Sequence, residues 1–168
     1  MNYVPMKIIR YVLFFSWSFL FSQETEKREI SNTLDAWHAA AGNADFNTYF
    51  GLMTQDAVFV GTDAGEHWNR QAFMAYAKPH FDKGKAWNFT SVERHIFTDP
   101  STEIAWFDEL LDTQMKICRG SGVLRKEDRT WKIAHYVLSI AVPNEHVSEL
   151  IEIKKAKDDE ALEQLRRN

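Results

Sequence analysis

The sequence predicts an α+β domain: a cone-like, strongly curved antiparallel sheet with N-terminal helices packed on its concave face. Two observations carry that expectation. Apolar residues recur at helical spacing to about residue 81 and at strand spacing from there to Pro143, so helices come first and strands follow. Within one of those strands Gly120 and Gly122 mark a bulge or sharp bend, the device by which a sheet curls round its helices and leaves a conical cavity. At 168 residues the chain is long enough for one domain with appendages and short for two.

Residues 1–22 read as a signal peptide. Lys7 and Arg10 supply a positive start, and an apolar run of about eleven residues ends at Phe21. A spanning helix needs about twenty apolar residues, so no permanent membrane span is expected. The expectation is export, periplasmic or secreted, after cleavage near Ser22. The mature chain opens with a helix whose Ile30, Leu34, Trp37 and Ala41 form one stripe, ended by Gly42 and Asn43. Asp45 is placed to cap a short second helix carrying Phe46, Tyr49, Phe50 and Met53. Residues 57–62 read as a strand that empties into a polar loop with Asp63, Glu66, His67 and Trp68. Asn69 can cap a third helix through Phe81, which Pro79 should kink or end.

The remaining elements are extended. Residues 86–97 form one strand, and the turn at 99–102 leads into a second over 103–112. This second strand alternates Ile104, Trp106, Asp108, Leu110 and Asp112 against Ala105, Phe107, Glu109 and Leu111. A third, over 114–126, turns through polar residues 126–130 into a closing strand that places Trp131, Ile133, His135, Val137 and Ser139 on one face. Short turns between consecutive strands imply antiparallel pairing. Residues 145–168 are a charged C-terminal helix or tail.

Composition narrows the function. A net charge of -4 leaves no basic footprint, which argues against a nucleic-acid partner. The single cysteine, Cys118, excludes an intrachain disulfide and a cysteine-rich zinc site. No phosphate loop, nucleophile elbow, serine triad or metal-binding histidine spacing is present, so neither a metal nor a cofactor is expected. Asp108 is the sharpest catalytic candidate, because a carboxylate in an apolar strand must be paired, wet or protonated, and burial would suit it to proton transfer. His135 on the closing strand is its candidate partner as acid or base. Trp37, Tyr49, Phe50, Met53, Trp68 and Trp106 are aromatic or soft residues able to line a cavity, and Asp63 and Glu66 sit in a loop of the kind that carries function.

Three stretches are together similar to the SnoaL-like branch of the superfamily named after nuclear transport factor two. They are 59–68, from Phe59 through Asp63 and Glu66 to Trp68; 105–109, Ala-Trp-Phe-Asp-Glu; and Gly120-Ser-Gly122 with 131–139. The resemblance covers about residues 26–144, which sets a domain at 23–144. It places Phe59, Asp63 and Glu66 at the mouth of the cone and implies a homodimer through the outer face of the sheet. Where relatives often carry a second histidine, two residues after the first, this chain has Val137. The superfamily contains isomerases, hydrolases, dehydratases, cyclases and pure binding or assembly modules, so fold alone leaves function open. The leading expectation is an exported domain holding a small hydrophobic or amphipathic molecule in its cone. The alternatives are an isomerase, cyclase or hydrolase using Asp108 and His135, and a non-catalytic oligomerisation module.

Overall fold

A computed structural model of the chain describes residues 6–99 and 101–167, with side chains from residue 23 onward. Part of the expected signal peptide therefore lies outside the described residues. Helix α1 (Met6–Gly42) packs its Ile30, Leu34, Trp37 and Ala41 stripe, at most 1% exposed, into the core. It ends at Gly42 as expected, and the left-handed residue of the turn that follows is Ala44 (φ 54°). Helix α2 (Phe46–Gly51) is capped as expected: Asp45 Oδ1 accepts from Thr48 N at 3.0 Å. Helix α3 (Arg70–Asp82) starts under Asn69, whose Oδ1 accepts from Ala72 N at 2.9 Å. It runs three residues past Pro79, and its end is closed by Lys83 N and Gly84 N on the last-turn carbonyls of His80 and Phe81.

Six strands form one open sheet in the order β2-β1-β6-β5-β4-β3. They are β1 (Met53–Val60), β2 (His67–Asn69), β3 (Phe89–Thr98), β4 (Ile104–Thr113), β5 (Lys116–Glu127) and β6 (Thr130–Ile140). β3 to β6 make the expected antiparallel meander, and β2, unpredicted by sequence, folds back on β1. The β1–β6 pairing is parallel, with Phe59 opposite Tyr136, so the sheet is mixed rather than wholly antiparallel. Reading turns between neighbouring strands reveals hairpins, whereas these two strands are joined only by way of α3 and the whole meander.

Helices cover the concave face. The inward set on β4 is Ala105, Phe107, Glu109 and Leu111, each buried, while Ile104, Trp106 and Asp108 look outward. On β6 the alternation breaks. Val123 pairs with His135 and Leu124 with Ile133, so Ala134 is the extra residue of a bulge. Trp131 and Ile133 point inward before it, Tyr136 and Leu138 after it. His135 and Val137 are thereby turned away from the face that uninterrupted alternation gave them. Gly122 lies at this bulge, where an added Cβ would stand 2.2 Å from the His135 carbonyl oxygen. The charged C-terminal segment forms a short 3-10 turn and helix α4 (Val147–Leu165), in which no residue is buried.

Candidate functional site

The floor of the cone is polar, and its centre is Glu109. Its side chain is fully buried on the inward face of β4. Opposite it α1 delivers His38, whose Nε2 lies 2.8 Å from Oε1; an ionised carboxylate only accepts, so this nitrogen carries the proton. From β3, Arg94 places Nε 2.9 Å and Nη2 2.8 Å from Oε2. Tyr136 on β6 donates its hydroxyl to Oε1 at 3.2 Å. Arg94 Nη1 continues to the Ser31 carbonyl, the Ser31 hydroxyl and Asp35 Oδ1, at 3.2, 2.9 and 2.8 Å. Burial pushes the Glu109 carboxyl up, but hydrogen bonding from His38 and the Arg94 guanidinium outweigh it and hold the carboxyl below its usual range. Burial, then the Glu109 charge, drives the Tyr136 hydroxyl well above its usual range. Gly120 makes room for this arrangement: an added Cβ would meet Tyr136 Oη at 2.2 Å. Glu109 and Arg94 pair within the core and Arg94 reaches on to the exposed Asp35, which makes the cluster a structural tie between α1, β3, β4 and β6.

Above this floor the cone opens into a cavity of about 170 Å³. Its walls are rings: Phe59 from β1, Trp68 from β2, Phe73 and Tyr76 from α3, with Trp87 and Phe89 leading into β3. Phe59 and Phe73 stack at 4.0 Å and 15°, and Trp68 and Tyr76 at 4.6 Å and 23°. Relative to Phe73, Trp68 is inclined by 15°, Tyr76 by 17° and Trp87 by 23°, so these planes run nearly parallel. The polar contributions are few: Glu66 and Thr62 from the β1–β2 loop, His80 from α3 and Gln114 from the β4–β5 turn. The loop is held by its own groups. Gly61 N bonds Glu66 O at 2.8 Å, Asp63 N bonds Glu66 Oε2 at 3.2 Å, and Gly65 N bonds Asp63 Oδ1 at 2.8 Å. Gly61 leaves room for that side chain, since an added Cβ would lie 2.1 Å from Glu66 Oε2 and displace it. Two lining rings also touch the floor: Phe59 stacks on Tyr136 at 5.7 Å, and Phe89 meets His38 edge-on at 5.9 Å.

Of the residues expected from sequence to line the cavity, Phe59, Glu66 and Trp68 do so. Trp37, Tyr49, Phe50 and Met53 are at most 2% exposed and fill the core beneath, where burial raises the Tyr49 hydroxyl well above its usual range. Asp63 is exposed and staples the loop. Trp106 is on the outer face, stacked on Phe97 at 5.8 Å. Asp108 shares that outer face and pairs with His95, Nδ1 to Oδ1 3.0 Å, which raises the His95 imidazole above its usual range. Strand alternation puts Asp108 on that side, and the Ala134 bulge takes His135 there as well, so neither lines the cavity. The buried carboxylate is the neighbour, Glu109. Its signal was available, since the inward set Ala105, Phe107 and Leu111 is the more apolar of the two. Its partners His38 and Arg94 come from remote elements and left no local pattern. Among the described residues, no three His, Cys, Asp or Glu side chains gather as a metal site.

An open curved sheet with helices in its concavity and a pocket at its mouth defines the nuclear transport factor 2-like class. Solved structures share this fold at low identity. A candidate dehydratase from the NTF2-like family of Streptomyces avermitilis is 13% identical with TM-score 0.62, over 72% of this chain and 99% of that one. An NTF2-like protein of Cytophaga hutchinsonii ATCC 33406 is 15% identical with TM-score 0.58, over 68% and 98%. A candidate calcium/calmodulin-dependent protein kinase II association domain of Xanthomonas campestris is 20% identical with TM-score 0.53, over 70% and 88%. Within this class the chain belongs to the SnoaL-like domain family, whose model matches residues 30–143. No curated protein matches it significantly in sequence.

Proposed function

We propose that this domain binds a small, flat, single-ring molecule in the mouth of its cone. The observation that carries the reading is the set of nearly parallel rings around a 170 Å³ cavity. A volume of about 150 Å³ is enough for a benzene-sized guest, and offset stacking between parallel faces rewards a flat one. Saturation-transfer NMR with benzyl alcohol and cyclohexylmethanol tests it. The aromatic probe should bind, its saturated counterpart should bind more weakly, and Trp68→Ala should abolish the difference. Absence of benzyl alcohol binding at tens of millimolar refutes the reading.

Isomerase, cyclase or hydrolase chemistry in this cavity would fall to Glu66, His80 and Tyr76, the ionisable side chains among the lining residues. The outer face of the sheet supports pairing of two copies: Phe97, Ile104 and Trp106 are each 44–47% exposed. Export with cleavage near Ser22 is part of the same proposal. Among the described residues, no helix is long and apolar enough to cross a membrane. Intact mass of the protein recovered from its native host distinguishes a chain beginning near Gln23 from one retaining residues 1–22.

A further inference from the structure

We infer that the ligand of the aromatic mouth is a small organic cation, with Glu66 as its counter-ion. The inference rests on the reading of this cavity as a binding site. Ring faces attract cations through their quadrupoles, and several rings with a carboxylate are the usual answer to an ammonium group that cannot be hydrogen-bonded. Here Trp68, Tyr76, Phe73 and Trp87 supply the rings, and Glu66 is the one carboxylate among the lining residues. Neither lysine nor arginine lines the cavity among the described residues, so nothing there opposes a positive guest except His80 when protonated. The adjoining cleft behind Trp87 and Gln114 carries Lys85 and Asp112, whose opposite charges offset.

Glu66 is built to serve. Its Oε2 is anchored by Asp63 N, while Oε1 has no hydrogen-bond partner among the described residues. Gly61 leaves the space into which the carboxylate folds. The charge is thus tied to the cavity wall by the backbone of its own loop, which lowers the entropic cost when a ligand arrives. A carboxylate so placed repels an anion and gains little from a neutral ring, which sets the preference by charge alone.

Three probes of one shape separate the possibilities: N-methylpyridinium, toluene and benzoate, titrated calorimetrically into the full chain, its Glu66→Gln variant and its His80→Gln variant. N-methylpyridinium should bind at least about tenfold more tightly than toluene, a difference of roughly 1.4 kcal/mol, and benzoate should bind weakest. Glu66→Gln should bring the cation down to the level of toluene, and toluene binding that persists in the variant shows that the cavity is intact. His80→Gln should keep the preference. Toluene or benzoate binding as well as the cation overturns the inference and leaves the binding site standing. A cation preference that survives Glu66→Gln overturns the assignment to Glu66. Failure of all three probes overturns the binding site itself.

Discussion

Replacing Arg94 with methionine isolates the energetics of the cone floor. The substitution keeps the apolar stem and removes the guanidinium that sits 2.8–2.9 Å from Glu109 Oε2. The carboxylate is then left fully buried with only His38 and Tyr136 to bond it. Breaking a buried ion pair on one side costs about 3–5 kcal/mol, a large part of the about 5–15 kcal/mol that holds a domain folded. At about 2–4 °C per kcal/mol for a chain of this size, the midpoint should fall by roughly 6–20 °C. Urea unfolding followed by tryptophan fluorescence measures the loss, and Arg94→Met with Glu109→Gln should recover at least half of it. The pH dependence has a defined sign. In the wild type the Glu109 carboxyl lies below its ordinary 4.5, so its contribution is complete above that value and fades as pH falls through the folded one. In the variant, burial acts with less opposing charge and raises the folded value, so acidification relieves the penalty. The gap between the two proteins should therefore narrow from pH 7 to pH 4. A loss under about 1 kcal/mol at pH 7, or a gap that widens in acid, would refute the reasoning.

Three further outcomes follow from the packing. Gly120→Ala drives a methyl to 2.2 Å from Tyr136 Oη, which its bond to Glu109 holds in place, so unfolding should show a loss of about 1–3 kcal/mol. The β5–β6 hairpin turns through Asp128 (φ 49°) and Arg129 (φ 64°), two left-handed residues as a type I′ turn requires, so Arg129→Gly should stabilise by about 1 kcal/mol in the same assay. Trp106→Asp places a charge in the exposed apolar patch of the outer face and should convert the proposed dimer to monomers in sedimentation velocity; a wild-type monomer, or an unchanged sedimentation coefficient, rejects that face as the interface.

The fold was legible wherever the signal was local. Asp45 and Asn69 announce two helix starts by their own side chains, and the turn at Asp99 is tied by Ser101 N to Asp99 Oδ1 at 2.9 Å. Strand alternation separated Asp108 from Glu109 without saying which of the two was buried, and the more apolar companions of Glu109 were the better guide. The bulge at Ala134 was hidden because one extra residue leaves no mark in composition yet exchanges the faces of everything beyond it. The cavity was only half legible for a related reason. Phe59, Glu66 and Trp68 lie within ten residues of one another, whereas Phe89, Gln114 and Leu138 join them through strand pairings that no local pattern encodes.

The parallel seam between β1 and β6 also orders assembly in time. Residues 53–60 have their sheet partner at 133–137, so β1, with α3 and β2 behind it, docks on the meander only after β6 has emerged. Contacts that span so much of the chain form late, because loop closure must precede their reward. Phe59 and Leu138 face the mouth from the two sides of that seam, so the mouth is completed in the closing step of folding. Until then Phe59, Phe73 and Trp68 remain an unsealed apolar surface, the kind of transient exposure that invites association between unfinished chains.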